Sequence, residues 1–392
     1  MSYIILCISA SQVTPPPRMT LNTNFRGPCT FILITLTRFL LHHSSSFVKM
    51  TSKTLTASCR CNSVHFTVTI PTDALPLNIH LCHCSICRYS HGAPCAFHAP
   101  LPPGVEPQFI VPSGYDKMTS YRHAASVATG YFCSTCGCQI GGVESQWTIS
   151  TSIFDANRED EGIWKFNAHM LPDSAPDGGL AAVFSAVDGH QMKTENLGLS
   201  PQAIAGSDSK PPDRESKELL AQCHCTGVSF LIARPSEAIA SPQSKGLTSP
   251  SNKRKWLARM DLGDDSRLVS GANVISWMSV SADHITPRLP KYLLIGSAKM
   301  YRPTKDTLFV FCGTCGATVF SHSEERPEIV DVAMGIVRAP EGAMAEDWNV
   351  WKTEVSWPES GIRYQAGFAR ALTEGMQRWG AERGHPRDPG LA

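Results

Sequence analysis

Phe132-Cys133-Ser134-Thr135-Cys136-Gly137 recurs later in the chain as Phe311-Cys312-Gly313-Thr314-Cys315-Gly316. Upstream of each copy lies a Cys-x-Cys pair, formed by Cys59 and Cys61 or by Cys223 and Cys225. Thiolates one or two residues apart on a tight turn can converge on one metal ion, whereas a disulfide across so short a span would be strained. The repeat therefore predicts two modules, each closed by a structural zinc site of four cysteines.

The first copy carries an additional cluster, Cys82-x-Cys84-x-x-Cys87, that the second copy lacks. The sequence interval from Cys87 to Cys133 equals the interval from Ser266 to Cys312, so the two copies share one offset at both ends of this interval, although the second copy is longer upstream of it. At this offset the three cysteines fall opposite Asp261, Gly263 and Ser266. A duplication followed by loss of one cysteine cluster explains the pattern most economically.

Three thiolates leave one position of a tetrahedral zinc ion free for water or for the sulfur of a substrate. The cluster Cys82, Cys84 and Cys87 is therefore a candidate catalytic site. The alternative is that His83 or Cys95 occupies the fourth position and makes the site structural. Spacing alone leaves both readings open.

The second module is expected to hold one zinc ion and to be catalytically silent. Asp261, Gly263 and Ser266 cannot hold a thiophilic ion as three thiolates do. Metal analysis is thus expected to find about three zinc ions per chain, two in the first module and one in the second.

Composition restricts the class of protein. The chain has 392 residues, of which 42% are hydrophobic and 18% charged, as expected for a globular protein with more than one domain. A formal net charge of +1 gives no general attraction to nucleic acid or to acidic membranes. Clustered cysteines in a chain of this length favour metal binding in a reducing compartment, which predicts a cytoplasmic location.

The domain boundaries follow from shifts in composition. Residues 1–53 are expected to be a disordered leader or an extension of the gene model, with the true start at Met50. Their apolar run, Thr30–Leu41, is too short for a membrane span and contains Arg38. The remaining predicted segments are the first zinc module at 54–187, a polar linker at 188–217, the second module at 218–362, and a C-terminal helix with its tail at 363–392.

Local patterns predict mostly strands within the modules. Val64–Ile70, Val274–Val280 and Tyr292–Ile295 are short, rich in β-branched or aromatic residues, and bounded by turn residues. The clearest helical pattern spans Gln365–Arg383. Its apolar residues at helical spacing are Phe368, Leu372, Met376 and Trp379. The predicted fold class is therefore mostly β, with a C-terminal helix.

The order Cys-x-Cys, Cys-x-Cys-x-x-Cys-Arg, Phe-Cys-x-x-Cys-Gly resembles the glutathione-dependent formaldehyde-activating enzyme family, which also includes centromere protein V. The resemblance covers roughly residues 55–185 with seven cysteines and 219–360 with four, and tandem copies are similar to fungal members. It implies two Mss4-like (β-tent) modules. It also implies a carbon–sulfur lyase that acts on S-hydroxymethylglutathione-type adducts, with zinc as cofactor and glutathione as co-substrate.

The resemblance suggests roles for residues near the open cluster. Arg88 could pair with a substrate carboxylate, and His83 or His91 could move a proton. The alternative for Arg88 is a structural bond to backbone carbonyls, since its counterpart Arg267 persists where the cysteines are gone. A second hypothesis for the whole chain is a zinc-stabilised protein that binds protein or nucleic acid without catalysis. Its basic cluster, Lys253–Lys255, is too short to favour that hypothesis.

Overall fold

The structure is a computed structural model. It describes residues 51–123, 126, 128–155, 162–196, 217–236, 247–249 and 252–385. Residues 1–50 of the leader predicted at 1–53, including the expected start at Met50, lie outside the described residues, whereas Ser52 and Lys53 belong to the first strand, Ser52–Ser58.

The first module contains a three-stranded sheet of order β1-β2-β5 and an eight-stranded sheet of order β13-β10-β3-β4-β9-β8-β7-β6. Its strands are β1 (Ser52–Ser58), β2 (His65–Pro71), β3 (Leu77–Cys82), β4 (Ala96–Pro100), β5 (Gln108–Phe109), β6 (Met118–Tyr121), β7 (Thr129–Cys133), β8 (Gln139–Val143), β9 (Trp147–Ser150), β10 (Trp164–Met170), β11 (Ala186–Val187), β12 (His190–Gln191) and β13 (Lys193–Glu195).

The second module repeats this plan with a three-stranded sheet of order β14-β15-β19 and a larger sheet of order β16-β17-β18-β23-β22-β21-β20. Its strands are β14 (Glu218–Gln222), β15 (Ser229–Ala233), β16 (Thr248–Ser249), β17 (Asn252–Asp261), β18 (Ile275–Ser281), β19 (Ile285–Thr286), β20 (Ala298–Tyr301), β21 (Thr307–Cys312), β22 (Thr318–Ser323), β23 (Ile329–Ala333) and β24 (Asn349–Trp351), which pairs with β17.

Alternating burial explains why the predicted strands form. In β2 the apolar residues Phe66, Val68 and Ile70 are fully buried, while the residues between them are partly or fully exposed. The mostly-β prediction is confirmed. The strand predicted at Tyr292–Ile295 is wrong, because Tyr292 and Leu293 have positive φ angles that an extended strand does not allow.

Two seven-residue helices occupy corresponding positions and were not predicted from the sequence. Helix α1 (Ser85–His91) follows β3, and helix α2 (Asp264–Ser270) follows β17. Each helix ends at a glycine in the left-handed conformation, Gly92 at φ 72° and Gly271 at φ 73°. Helix α1 therefore begins within the Cys82–Cys87 cluster. Helix α2 begins within the segment that the sequence alignment pairs with this cluster.

The predicted C-terminal helix is present within α3 (Pro358–Glu382), whose backbone is kinked at Gln365, the predicted start, so that a short helical segment precedes the predicted one. Its predicted apolar stripe is buried: Phe368, Leu372, Met376 and Trp379 are each at most 2% exposed. The ring of Phe368 stacks on Phe166 of the first module at 5.3 Å, and that of Trp379 lies 6.3 Å from Trp351 of the second. The helix thus packs against both modules. None of the helices in the described part of the chain is both long enough and apolar enough to span a bilayer.

The two modules meet across an approximate twofold axis. The amide of Arg60 donates to the carbonyl of Leu268 at 3.2 Å, and the amide of His224 donates to the carbonyl of Tyr89 at 2.9 Å. In the alignment of the two copies, Arg60 corresponds to His224 and Leu268 to Tyr89. Each Cys-x-Cys turn therefore contacts the short helix of the other module. The rings of the equivalent residues Phe132 and Phe311 lie 6.4 Å apart at this interface.

One hydrophobic cluster runs through both modules. Buried residues of β3 and β4, such as Ile79 and Phe97, belong to the same cluster as Met278 and Val332 of the second module. The start of the predicted linker also belongs to the first module, because β13 pairs in parallel with β10. Residues 197–216 of that linker lie outside the described residues.

Candidate metal and active site

The four outer cysteines of the first module converge as predicted. Sγ of Cys61 lies 3.5 Å from Sγ of Cys59 and 3.5 Å from Sγ of Cys133, and all four sulfurs, with Cys136, lie within 4.8 Å of one another. Four thiolates at about 2.3 Å from a tetrahedral zinc ion are about 3.8 Å apart. The four sulfurs therefore fit a closed structural zinc site. The distances between them are too long for disulfide bonds.

The second module forms the same arrangement. Sγ of Cys225 lies 3.6 Å from that of Cys223 and 3.4 Å from that of Cys312, and Cys315 completes the group. The amide of Val228 donates to Sγ of Cys223, as the amide of Val64 donates to Sγ of Cys59. Such bonds stabilise a thiolate over a thiol. Both clusters are thus preformed for a cation.

The third cluster has three cysteines. Cys82 ends β3, Cys84 is the N-terminal capping residue of α1, and Cys87 lies in the first turn of that helix. The sulfurs of Cys82 and Cys84 are 3.5 Å apart, and the Cys87 amide donates to Sγ of Cys84 at 3.4 Å. Among the described residues, no fourth histidine, cysteine, aspartate or glutamate joins this group. The group accordingly fits a zinc ion with one position left for an external ligand.

The two residues considered for the fourth position lie elsewhere. His83 is fully buried, and its Nε2 is hydrogen-bonded to Nδ1 of His169 at 2.9 Å. Nε2 of His169 is in turn bonded to the carbonyl of Phe184 at 3.0 Å. Cys95 is also fully buried, and its sulfur is not among those that converge in the three-cysteine group.

Arg88 is only 4% exposed, and its Nε donates to the carbonyl of His83 at 3.2 Å. Its counterpart Arg267 is equally buried, pairs with Asp264 at 2.7 Å and stacks over the ring of Tyr364 at 3.6 Å. The burial favours the structural alternative for Arg88. Its predicted contact with a substrate carboxylate stays a prediction.

A small cleft of about 80 Å³ opens beside the three-cysteine group. The polar residues around it include Cys87, His91, His98, Tyr121, His123 and, from the second module, Cys315. The walls come from α1, β4, β7, β8 and the segment after β6. A cleft that adjoins an incomplete ligand set and is lined by convergent polar groups is a candidate active site.

His91 and His98 form a hydrogen-bonded pair in this cleft. Nδ1 of His91 lies 2.9 Å from the carbonyl oxygen of Cys87, so Nδ1 must carry the proton. Nε2 of His91 then accepts from Nε2 of His98 at 3.2 Å. Burial lowers the pKa of His91 to about 4, which keeps its imidazole neutral near pH 7. The neutral pair can therefore take up one proton from a group in the cleft and release it again.

The position of the missing cluster in the second module is filled by hydrogen bonds. Oδ2 of Asp261 accepts from the hydroxyl of Ser266 at 2.9 Å and from Nε1 of Trp277 at 3.1 Å, and Oδ1 accepts from the Gly263 amide at 2.7 Å. Burial raises the pKa of Asp261, against the opposing influence of Arg259. The three residues that replace cysteines therefore bond to one another. The alignment that paired them with the cluster is supported by this geometry.

Sequence reasoning missed His98, Tyr121 and His123. None of them belongs to a cysteine motif, and they reach the cleft only through strand pairing, for example that of β4 with β3 and β9. No short-range pattern marks such residues. The only signal in the sequence was the number of histidine and tyrosine residues in the first module.

Residues 54–169 match the family model of the glutathione-dependent formaldehyde-activating enzyme. The match contains all seven clustered cysteines of the first module, and it confirms for this segment the resemblance inferred from the cysteine order. It ends at residue 169, so the second copy is identified by the repeat and by the structure. No curated protein matches the chain significantly.

Proposed function

We propose that the first module is a zinc-dependent carbon–sulfur lyase acting on glutathione adducts of the S-hydroxymethylglutathione type. The observation that supports this proposal most directly is the three-thiolate group beside a cleft, with no fourth protein donor among the described residues. The family match over the same residues supports the choice of glutathione. The three groups together correspond to about three zinc ions per chain.

Cys82, Cys84 and Cys87 would hold the ion of the active site. When bound there, zinc supplies a Lewis acid that accepts a sulfur ligand and lowers the pKa of a thiol. The protein's own contribution is to hold the three sulfurs with backbone bonds such as that from the Cys87 amide to Cys84. It also places the neutral imidazoles of His91 and His98 in the adjoining cleft.

The proposed reaction needs one proton transfer. In the direction of adduct formation, the glutathione sulfur bonds to the carbonyl carbon, the π electrons move to oxygen, and that oxygen takes up a proton. The His91–His98 pair would first take up the proton that the glutathione thiol loses and would then deliver that proton to the oxygen. In the reverse direction the pair would remove the proton from the hydroxyl as the carbon–sulfur bond breaks and return it to the sulfur. Since both imidazoles are neutral before the reaction, the pair can hold this one proton in transit.

The second module would be non-catalytic. Its position for the open site is occupied by the hydrogen bonds of Asp261 with Ser266 and Trp277, which leave no thiolate for zinc. We expect the chain to work in a reducing, intracellular compartment, because eleven cysteines of the described residues form three groups that fit metal ions.

Calorimetric titration of the zinc-loaded chain with glutathione tests the proposal. Wild type should bind one glutathione per chain, and Cys84→Ser should lose binding while keeping its circular dichroism spectrum. Cys95→Ser is the matched control and should bind normally, since Cys95 lies outside the ligand group. Absence of glutathione binding in wild type, with salt-sensitive retention on DNA, would instead favour the non-catalytic interaction protein.

A further inference from the structure

The second module lost its own open site but contacts the wall of the cleft in the first. We propose that His224, from the Cys-x-Cys turn of the second module, is a positioning residue that holds Tyr121 and His123 against the body of the bound glutathione adduct. The inference rests on the proposed function for the identity of the ligand. It assigns to the second module a role in substrate selection.

The first contact is a hydrogen bond between the modules. The hydroxyl of Tyr121 lies 2.7 Å from Nδ1 of His224. Tyr121 is the last residue of β6 and lines the cleft. A bond of this length restricts the tyrosine ring to one orientation. The second module thereby positions a hydroxyl group in the wall of the first module's site.

The second contact is between rings. The imidazole of His123 packs edge-on against that of His224, with centroids 4.6 Å apart. His123 also lines the cleft, just beyond the end of β6. One side chain of the second module therefore supports two cleft residues, the last residue of β6 and a residue two positions further on.

Two further contacts join the second module to the cleft and to α1. Nε2 of Gln139, a cleft residue, donates to the carbonyls of Ser90 at 2.9 Å and Cys315 at 3.2 Å. Arg338 of the second module donates to the carbonyl of Cys223 at 3.3 Å, and its guanidinium lies 3.3 Å from the ring centroid of Tyr89 on α1. The turn that carries His224 is thus fastened to the helix that carries Cys87.

The approximate twofold axis supplies an internal comparison. Arg60 occupies the position of His224 in the first module. Tyr301 is equivalent to Tyr121 by strand pairing, because Tyr301 pairs with Phe309 as Tyr121 pairs with Gly130, the residue that corresponds to Phe309. Instead of a tyrosine hydroxyl, the Arg60 side chain binds the carboxylate of Asp265, beside the site without cysteines. The tyrosine–histidine bond therefore occurs only on the side of the three-thiolate cluster. This asymmetry is expected if the hydrogen bond contributes to ligand binding in that cleft.

The chemistry of the wall fits a peptide-like ligand. Glutathione has amides and two carboxylates besides its thiol, and a tyrosine hydroxyl and an imidazole can hydrogen-bond to either group. A small thiol such as 2-mercaptoethanol has neither group. Loss of the positioned wall should therefore weaken binding of the tripeptide and leave the small thiol unaffected.

The experiment compares binding of glutathione and of 2-mercaptoethanol to the zinc-loaded full chain by calorimetry. Tyr121→Phe and His224→Phe each remove the hydrogen bond but keep an aromatic ring. Each should weaken glutathione binding about fivefold, the usual effect of one lost hydrogen bond, and the double variant should bind no more weakly than either single one. Tyr301→Phe is the matched control and should bind both thiols as wild type does.

Zinc content is measured for every variant, because His224 lies between two cysteines of a four-thiolate group. Tyr121→Phe changes no residue next to a ligand, so it tests the inference even if His224→Phe loses metal. Equal glutathione affinity in Tyr121→Phe and wild type would overturn the inference. An equal loss of affinity for both thiols would overturn it as well, since that result indicates a general disturbance of the site.

A second readout does not depend on glutathione. The rate at which the chelator 4-(2-pyridylazo)resorcinol removes the most labile zinc ion reports on access to the cleft. Tyr121→Phe should increase this rate and Tyr301→Phe should not. If wild type binds no thiol, the proposed function fails, yet this comparison still decides whether His224 and Tyr121 close the cleft wall. Identical rates in the two variants would show that they do not.

Discussion

The backbone of Gly92, at the end of α1, lies directly against the carbonyl group of Thr318 in the second module. A Cβ atom on Gly92 would overlap the Thr318 carbonyl oxygen. The equivalent glycine, Gly271 at the end of α2, lies against the backbone of Gln139, the counterpart of Thr318. Both helix ends thus need glycine for a positive φ angle and for close approach to the other module.

Gly92→Ala should lower the free energy of unfolding by more than about 3 kcal/mol, because the methyl group adds a backbone clash to the strain of a positive φ angle. Gly104→Ala is the control, since Gly104 has φ 79° but no atom within 4 Å of its Cβ position. That variant should lose only about 1 kcal/mol. Guanidinium unfolding curves of both variants measure the difference. Equal losses would mean that the modules do not pack as described.

Metal content should separate the three cysteine groups. Cys84→Ser should reduce the zinc content from about three to about two ions per chain and leave the protein folded, because an open site contributes little to the core. Cys315→Ser should instead destabilise the whole second module, since it opens a closed structural site. Elemental analysis with a thermal melt checks both outcomes. A wild-type value of two or four ions would contradict the assignment.

The lost site should be recoverable. Asp261, Gly263 and Ser266 occupy the positions of the three cysteines, so replacing all three by cysteine should raise the metal content by one ion per chain. The Cβ atom at residue 263 would lie 3.1 Å from the ring of Trp357, which is 61% exposed and free to move outward. Cobalt titration detects the new site by its thiolate charge-transfer absorption. Unchanged cobalt stoichiometry in a folded variant would argue against the equivalence of the two positions.

The buried histidine His169 should make stability depend on pH. Burial lowers its pKa to about 4, whereas the unfolded chain binds this proton near pH 6.5. The unfolded state therefore gains a proton first as the pH falls, and about 3 kcal/mol of stability is lost between about pH 6.5 and pH 4. Above pH 6.5 this contribution is fully present.

Comparison of wild type with His169→Gln isolates this effect, because both proteins lose metal from their thiolate groups at low pH. Over the same pH range, the slope of the variant's free energy of unfolding against pH should be smaller by the amount that corresponds to about one bound proton. Parallel curves for the two proteins would show that His169 is not held neutral in the fold.

The cysteine spacing predicts all three thiolate groups, because a metal site formed by two tight turns is specified by a few residues at short range. The alternation in β2 predicts its buried face for the same reason. The repeat also predicts which residues replace the lost cysteines. What Asp261 does there, as acceptor for Ser266 and Trp277, depends on a strand pairing that the sequence does not reveal.

Helix α1 and the cleft were beyond prediction for a physical reason. Seven residues are too few to show a helical period, and α1 is held by the Cys84 cap and by contacts with the second module. The partner of Tyr121 lies 103 residues away in the chain. The His91–His98 pair is closer in sequence but requires β4 to return along β3.

The near-symmetric contact between the two halves has an evolutionary consequence. In an assembly of two identical chains, every substitution occurs in both chains. A change that benefits a site in one chain therefore also alters the same site in the other. Fusion into one polypeptide removes that constraint. Asp261 could replace a sulfur donor in one half while Cys82 persisted in the other, and the shared contacts could be preserved throughout this divergence.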